Sequence, residues 1–242
     1  MDRTYLIVQA RMSSTRLPGK VLKKVLGRPL LDFLIERLKR VRLKSGIVIA
    51  TTLGPQDDPI VQLAEQRGVL TFRGSEEDVL ERYYLAAQAH GAAHVVRITS
   101  DCPLIDPELI DTLIGQYHEA GVDYLSNVQE RTFPRGMDCE VFSFAALEQA
   151  YLQATLPEER EHVTPYIHRH PELFSIKSYA RAEDASSYRW TVDTPEDFQL
   201  IEKILEEIFL QKPLFTLDDL LVLLKKHPEW NAINQNIAQK NH

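Results

Sequence analysis

The sequence predicts an α/β fold with a mostly parallel central sheet and helices on both faces. Short apolar runs at Tyr5 to Val8, Val48 to Ala50 and His94 to Thr99 fit strands covered by protein on both sides. Amphipathic segments at helical spacing separate them. Asp58-Pro59, Asp106-Pro107 and Thr194-Pro195 each offer an N-cap followed by proline at the first helical position. Strands and helices alternating in this rhythm give βαβ units.

In chain order, Tyr5 to Val8 is the first strand and Leu30 to Val41 the first helix. The second strand centres on Val48 to Ala50, and Ile60, Leu63 and Ala64 continue into a helix. Val69 to Phe72 is a third strand, followed by a helix that carries Val79, Arg82 and Tyr83 on neighbouring turns. After the fourth strand, Leu109, Ile110, Leu113 and Ile114 form a helical core face. Asp123 to Leu125 reads as another strand, and beyond it the alternation weakens. Pro157 to His170 reads as a helix kinked or begun near Pro165. Phe174 to Ala180 and Tyr188 to Val192 read as two late strands. Phe198, Ile201, Ile204, Leu205 and Ile208 mark a long helix starting at Thr194. A last capped helix, Leu217 to Lys226, precedes an Asn- and Gln-rich tail expected to fray. No repeat or low-complexity linker divides the chain. Residues 1–242 therefore read as one domain, with an inserted smaller lobe near residues 127–187.

Composition narrows the function classes. A 44% hydrophobic content is ordinary for a globular core. A net charge of -7 and a pI near 5.6 argue against a nucleic-acid surface. A local basic loop in an acidic chain suits a small anion better. Cys102 and Cys139 form neither a metal-like spacing nor a disulfide framework, as in a reducing cytoplasm. No stretch approaches the ~20 apolar residues of a membrane span. The expectation is a soluble cytoplasmic protein.

The basic loop is Gln9 to Lys20, Gln-Ala-Arg-Met-Ser-Ser-Thr-Arg-Leu-Pro-Gly-Lys. Following a buried strand, it gathers Arg11, Arg16 and Lys20 with hydroxyls and backbone N–H groups, a combination that suits a polyphosphate. It is not a Walker A loop, because Ser14 stands at the first glycine and Val21 follows Lys20. No Gly-x-Gly occurs either. Asp101 lies just past the fourth strand, where open α/β sheets bind ligands, and Pro103 stops the strand there. Asp193 likewise follows an apolar run and precedes Pro195. Asp106, Thr194 and Asp197 read as helix caps.

The string Gln9 to Leu22, with Gly74-Ser75 through Arg82, Asp101-Cys102-Pro103-Leu104, Glu161 to Tyr166 and Val192 to Asp197, resembles the cytidylyltransferases that activate acidic sugars as CMP-sugars. The likeness extends from about Tyr5 to about Phe209. It is strongest to the branch named after spore-coat polysaccharide biosynthesis, related to CMP-Kdo and CMP-acylneuraminate synthetases. The resemblance implies a nucleotide-diphospho-sugar transferase-like fold and a reaction of CTP with a sugar acid, giving a CMP-sugar and pyrophosphate for surface polysaccharide. It implies that Arg11 and Lys20 hold and stabilise the triphosphate, with Gln9, Ala10, Ser13 and Arg16 in the same nucleotide-binding loop. Arg73, Gly74 and Arg82 would approach the nucleoside, and Asp101 and Asp193 would share Mg2+. Ser100 replaces the family's usual glycine before Asp101. Arg135, Asp138 and Glu140 are candidates for the sugar's hydroxyls or carboxylate, though ion pairs within a hairpin explain them nearly as well. The region around residues 127–187 is also where a homodimer would form.

Three alternatives stay open. A UTP- or dTTP-dependent transferase acting on a sugar 1-phosphate usually opens with a Gly-rich loop that this chain lacks. A non-catalytic nucleotide-binding homologue would have no need of Asp101, Asp193 and Lys20 together. His162, among carboxylates, could be a general base, but such histidines more often pack or face water. His168 and His170 have no metal partners at useful spacing.

Overall fold

In a computed structural model of the chain, residues 3–238 are described. β1 (Thr4–Gln9), β4 (Gly46–Thr52), β5 (Leu70–Gly74) and β6 (His94–Thr99) run parallel, β1 lying between β4 and β6. β2 (Lys24–Val25) and β3 (Arg28–Pro29) form a small separate hairpin. β7 (Tyr124–Ser126), β8 (Glu140–Ser143) and β9 (Ile176–Ser178) complete a seven-stranded sheet in the order β5-β4-β1-β6-β8-β7-β9. β8 is antiparallel to both β6 and β7, and β9 is parallel to β7. Two strands from the 127–187 stretch therefore extend the central sheet.

Side-chain alternation along the strands builds two cores. Leu6, Val8, Ile47, Ile49, Val96 and Ile98 face one side. There they meet α1 (Leu30–Lys39), α2 (Asp58–Gln66), α4 (Pro107–Ala120), α8 (Pro195–Gln211) and α9 (Leu217–Lys226). Ile7, Val48, Ala50 and Val95 face the other side, against α3 (Val79–Ala89), α5 (Phe144–Gln153) and α7 (Pro165–Arg169). Each fully buried Leu or Ile stabilises the fold by roughly 1.5–3 kcal/mol. α6 (Pro157–His162) precedes α7, and Val163 between them sits at φ 73, so the segment restarts at Pro165. Among the described residues no helix is long and apolar enough to cross a membrane.

Two expectations need correction. Tyr188 to Val192 is not a strand of the sheet; its one ladder contact is an isolated bridge from Arg189 to Arg135. The segment still runs along the end of β6, because Val192 N–H donates to Asp101 O at 2.8 Å. Nor does the whole tail fray. A 3-10 segment, Pro228–Ile233, packs Trp230 and Ile233 against the core, and Asn234 is buried. Residues 239–242 of that tail lie outside the described residues.

Candidate active site

The parallel strands β1, β4 and β6 end at the same edge, and the basic loop leaves β1 there. Its path is fixed at both ends. Gly19, at φ +68, turns the chain so that its N–H donates to Met12 O at 2.9 Å. Met12 N–H in turn donates to Asp57 Oδ1 at 2.8 Å. Asp57 is wholly buried and also accepts from the Thr51 and Thr52 hydroxyls and from Thr52 N–H. Burial alone would raise its pKa, but these donors outweigh burial and hold it below the usual carboxylate value.

Lys20 points from the loop into the space between two chain segments. Its ammonium lies 2.9 Å from Asp101 Oδ2 and 2.8 Å from Asp193 Oδ1. Arg16 reaches Asp193 Oδ2 at 3.0 Å. Burial pulls the Lys20 pKa down, and the two carboxylates reverse that to leave it raised. Burial likewise opposes ionisation of Asp101; the Lys20 charge and hydrogen bonds from Thr99, Lys20 and Cys102 nevertheless hold it down to about 2. Both groups stay charged at neutral pH.

Behind Asp193 stands a second ion pair. Arg189 NH2 donates to Asp193 Oδ2 at 2.9 Å, and its Nε donates to Asp197 Oδ1 at 2.9 Å. Asp197 is wholly buried and receives the N–H groups of Asp193 and Thr194 at 3.0 and 3.1 Å. Thr194 caps α8 in a capping box with Asp197. Asp197 is thus a cap, as expected from sequence, and also the clamp on Arg189.

A cavity of about 750 Å³ opens in front of these groups. Eight Arg and Lys side chains and five carboxylates line it, a local cationic excess in a chain of net charge -7. Away from Lys20, Arg97 projects from β6 and is held by the buried Glu140. Tyr124 and Thr164 hydroxyls donate to the other Glu140 oxygen at 2.6 and 2.7 Å. Burial lowers the Arg97 pKa and Glu140 overcomes it, so the guanidinium stays charged. Arg131 grips Asp138 through two contacts of 2.8 and 3.2 Å. Arg135 lines the same wall on a loop where Gly136, at φ +99, lies against the Trp190 backbone.

The family profile described as cytidylyltransferase matches residues 5–222. This chain belongs to the cytidylyltransferase family. Spore coat polysaccharide biosynthesis protein SpsF of Bacillus subtilis (strain 168) is 34% identical over 236 residues, covering 95% of this chain and 97% of that one. A cytidylyltransferase from Leptospira borgpetersenii serovar Hardjo-bovis is 35% identical, with a TM-score of 0.91 and full coverage of both chains. A CMP:2-keto-3-deoxy-manno-octonic acid synthetase, solved with CTP, is 17% identical with a TM-score of 0.67. It covers 85% of this chain and 99% of that one, and shares the fold. The central sheet is thus that of the nucleotide-diphospho-sugar transferases.

In this cytidylyltransferase-family chain, Gln9, Ala10, Arg11, Arg16, Lys20, Arg82, Asp101, Arg135, Asp138, Glu140 and Asp193 all line the cavity. Three expected residues do not. Ser13 turns away and donates to Glu76, while Ser14 and Thr15 take the lining positions. Arg73 donates to Thr52 O and Gly54 O and pairs with Asp58, stapling the loop after β4. Gly74 is where α3 closes on β5: a Cβ there would lie 3.1 Å from Arg82 Cγ and from Phe72 Cε1. Asp138 keeps the local ion-pair role, with Arg131, whereas Glu140 pairs across the sheet with Arg97 on β6 and not within a hairpin. Arg97, Asp57, Arg189 and Asn234 belong to no sequence motif that predicts their place here. Arg97 and Arg189 sit inside apolar runs, and such interruptions are the one signal that marked them.

Proposed function

We propose that the chain transfers CMP from CTP to the hydroxyl of a sugar acid and releases pyrophosphate, with Mg2+ as cofactor. The observation that supports this most is the Lys20 ammonium lying within 2.9 Å of both Asp101 and Asp193. Two carboxylates converging on one cation, beside a cationic loop, suit a triphosphate with its counter-ion. Among the described residues no group of three His, Cys, Asp or Glu is arranged around a metal. The donor set nevertheless fits Mg2+, which takes one or two carboxylates and draws its other oxygens from phosphate and water. Asp101 and Asp193 would hold it. When bound, it supplies Lewis acidity at the α-phosphate and acidifies the attacking hydroxyl.

The chain's own residues do the rest. Lys20, Arg11 and Arg16 pair with phosphate oxygens and stabilise the charge gathering on pyrophosphate as it leaves. Arg82, buried behind the loop and donating to Ser75 O at 2.6 Å, holds the nucleoside side of the cavity in shape. Arg97, Arg131 and Arg135 offer cationic donors to an acidic acceptor, with Glu140 and Asp138 fixing two of them. Glu140 and Asp138 therefore act on the sugar through Arg97 and Arg131. No nucleophilic side chain is needed, since the acceptor oxygen attacks phosphorus directly.

The test is pyrophosphate release from CTP, UTP, ATP and GTP with Mg2+, using 3-deoxy-manno-octulosonate and N-acetylneuraminate as acidic probes and glucose as a neutral one. Thermal shifts with each nucleotide accompany it. CTP is expected to stabilise the protein most and to react only with an acidic acceptor. Equal stabilisation by UTP overturns the cytidine assignment, and turnover with the neutral sugar overturns the acidic one.

A further inference from the structure

The C-terminal segment reaches the back of the active site. Trp230 stacks on His227 at 4.3 Å and Ile233 packs on the core, so the chain presents Asn234 inward, 3% exposed. Its Nδ2 donates to Asp197 Oδ1 at 2.8 Å and to the Arg189 carbonyl at 2.9 Å. Both partners are pure acceptors, which fixes the amide with its nitrogen toward them.

From Asn234 the contacts run on without a gap. Asp197 receives the Asp193 backbone N–H at 3.0 Å and both Nε and NH2 of Arg189. Arg189 NH2 then holds Asp193 Oδ2 at 2.9 Å. With Oδ2 and its own backbone clamped, the Asp193 carboxylate has one oxygen, Oδ1, turned toward Lys20 and Asp101. Groups behind a metal ligand set its direction, and losing one costs affinity although it touches neither metal nor substrate.

We propose that Asn234 is a positioning residue for Asp193, acting through Asp197 and Arg189. The inference rests on the reading of Asp193 as a ligand of the nucleotide's divalent cation. It gives the C-terminal segment a part in the active site.

Asn234→Ala and Arg189→Lys both leave the net charge unchanged, so a change in cation affinity reports orientation and not field. Lysine keeps a charge for Asp197 but lacks the fork that reaches Asp193 as well. The probe is Mn2+, titrated by electron paramagnetic resonance into protein saturated with CTP. Calorimetry of CTP binding in EDTA runs alongside. Both variants are expected to bind Mn2+ about tenfold more weakly, with CTP binding in EDTA nearly unchanged. Ile233→Ala, which loosens the same segment without touching Asp197, should lower Tm and leave Mn2+ affinity alone. Arg189→Lys carries the test if Asn234→Ala fails to fold. Mn2+ affinity within about twofold of wild type in the folded variants overturns the inference. So does an equal loss in Ile233→Ala, which would make the segment a general stabiliser. A wild-type chain with no Mn2+-dependent CTP binding overturns the reading of Asp193, and this inference with it.

Discussion

The backbone N–H of Val192 donates to the carbonyl of Asp101 at 2.8 Å. That bond draws an irregular late segment against the end of β6 and sets Asp193 beside Asp101. Replacing either carboxylate by Asn keeps its size and removes its charge. Turnover is expected to fall roughly 10²-fold or more in each, the scale of losing one electrostatic contact to the transition state. Asp106 is different. Its oxygens accept from Glu108 N–H at 2.9 Å and Leu217 N–H at 2.7 Å, capping α4 and tying it to α9. Asp106→Asn should cost about 1 kcal/mol of stability and leave turnover nearly unchanged. Asp197→Asn, which unclamps Arg189, should lose both. Steady-state rates and urea unfolding of the four variants check this; a fully active Asp197→Asn would reduce that residue to a cap.

Lys20→Ala should weaken CTP binding more than CMP binding. On the proposed reading, the Lys20 charge held between Asp101 and Asp193 meets the outer phosphates, which CMP lacks. Calorimetry with both nucleotides decides it, and equal losses would mean that Lys20 supports the shape of the loop.

The sequence carried the parallel half of the sheet because β1 and β4 have continuous apolar stretches buried on both faces, and β6 has one broken only by Arg97. It carried the α8 cap because Thr194, Pro195 and Asp197 satisfy helix-end N–H groups by local spacing alone. The other half was harder to read. β8 holds four residues, too short for a period to register, whereas the three residues of β9 lie inside the strand expected at Phe174 to Ala180. Tyr188 to Val192 has strand-like composition, yet Arg189 inside it answers to Asp193 and Asp197 and not to a ladder. Arg97 depends on Glu140, a partner far along the chain, and Asn234 on Asp197. Such pairings are tertiary, and no local pattern encodes them.

Gly136→Ala should be strongly destabilising. At φ +99, an added Cβ would lie 2.6 Å from Trp190 C and 2.7 Å from its carbonyl oxygen. Backbone strain alone costs about 1–3 kcal/mol, and the clash adds to it. The loop also carries Arg135 and Asp138, so activity should fall with stability. Urea midpoints measure the effect; a loss under about 0.5 kcal/mol would mean that the loop moves away from Trp190 freely.

We also propose that two copies pair through the region of residues 127–187. It carries the exposed Leu152 and Leu173, and β9 ends the sheet with an edge of only three residues. Static light scattering at micromolar concentration is expected to give twice the chain mass of 27.8 kDa. A monomer mass rules the pairing out.

Asp57 makes the stability of the loop after β1 depend on pH in a definite direction. Burial raises its pKa, and the donors from Thr52, Met12 and Thr51 lower it further than burial raises it, so the folded value lies below 3.8. The unfolded chain therefore takes up the proton first as pH falls. The stabilisation from Asp57 is complete above its unfolded pKa and is lost as pH drops through the lower folded value. Asp57→Asn cannot accept all four bonds, because one carboxylate oxygen becomes an amide donor facing N–H and O–H groups. At pH 7 the variant should be less stable by about 1–3 kcal/mol, the range for a buried group left unpaired. It should also bind CTP more weakly, because Met12 loses its anchor on the turn after β4. Toward pH 3 the gap from wild type should narrow as Asp57 protonates. Urea unfolding of both proteins at pH 7, 4 and 3 measures the gap. A difference that stays constant across that series would mean that Asp57 holds the loop through shape alone and that its charge contributes nothing.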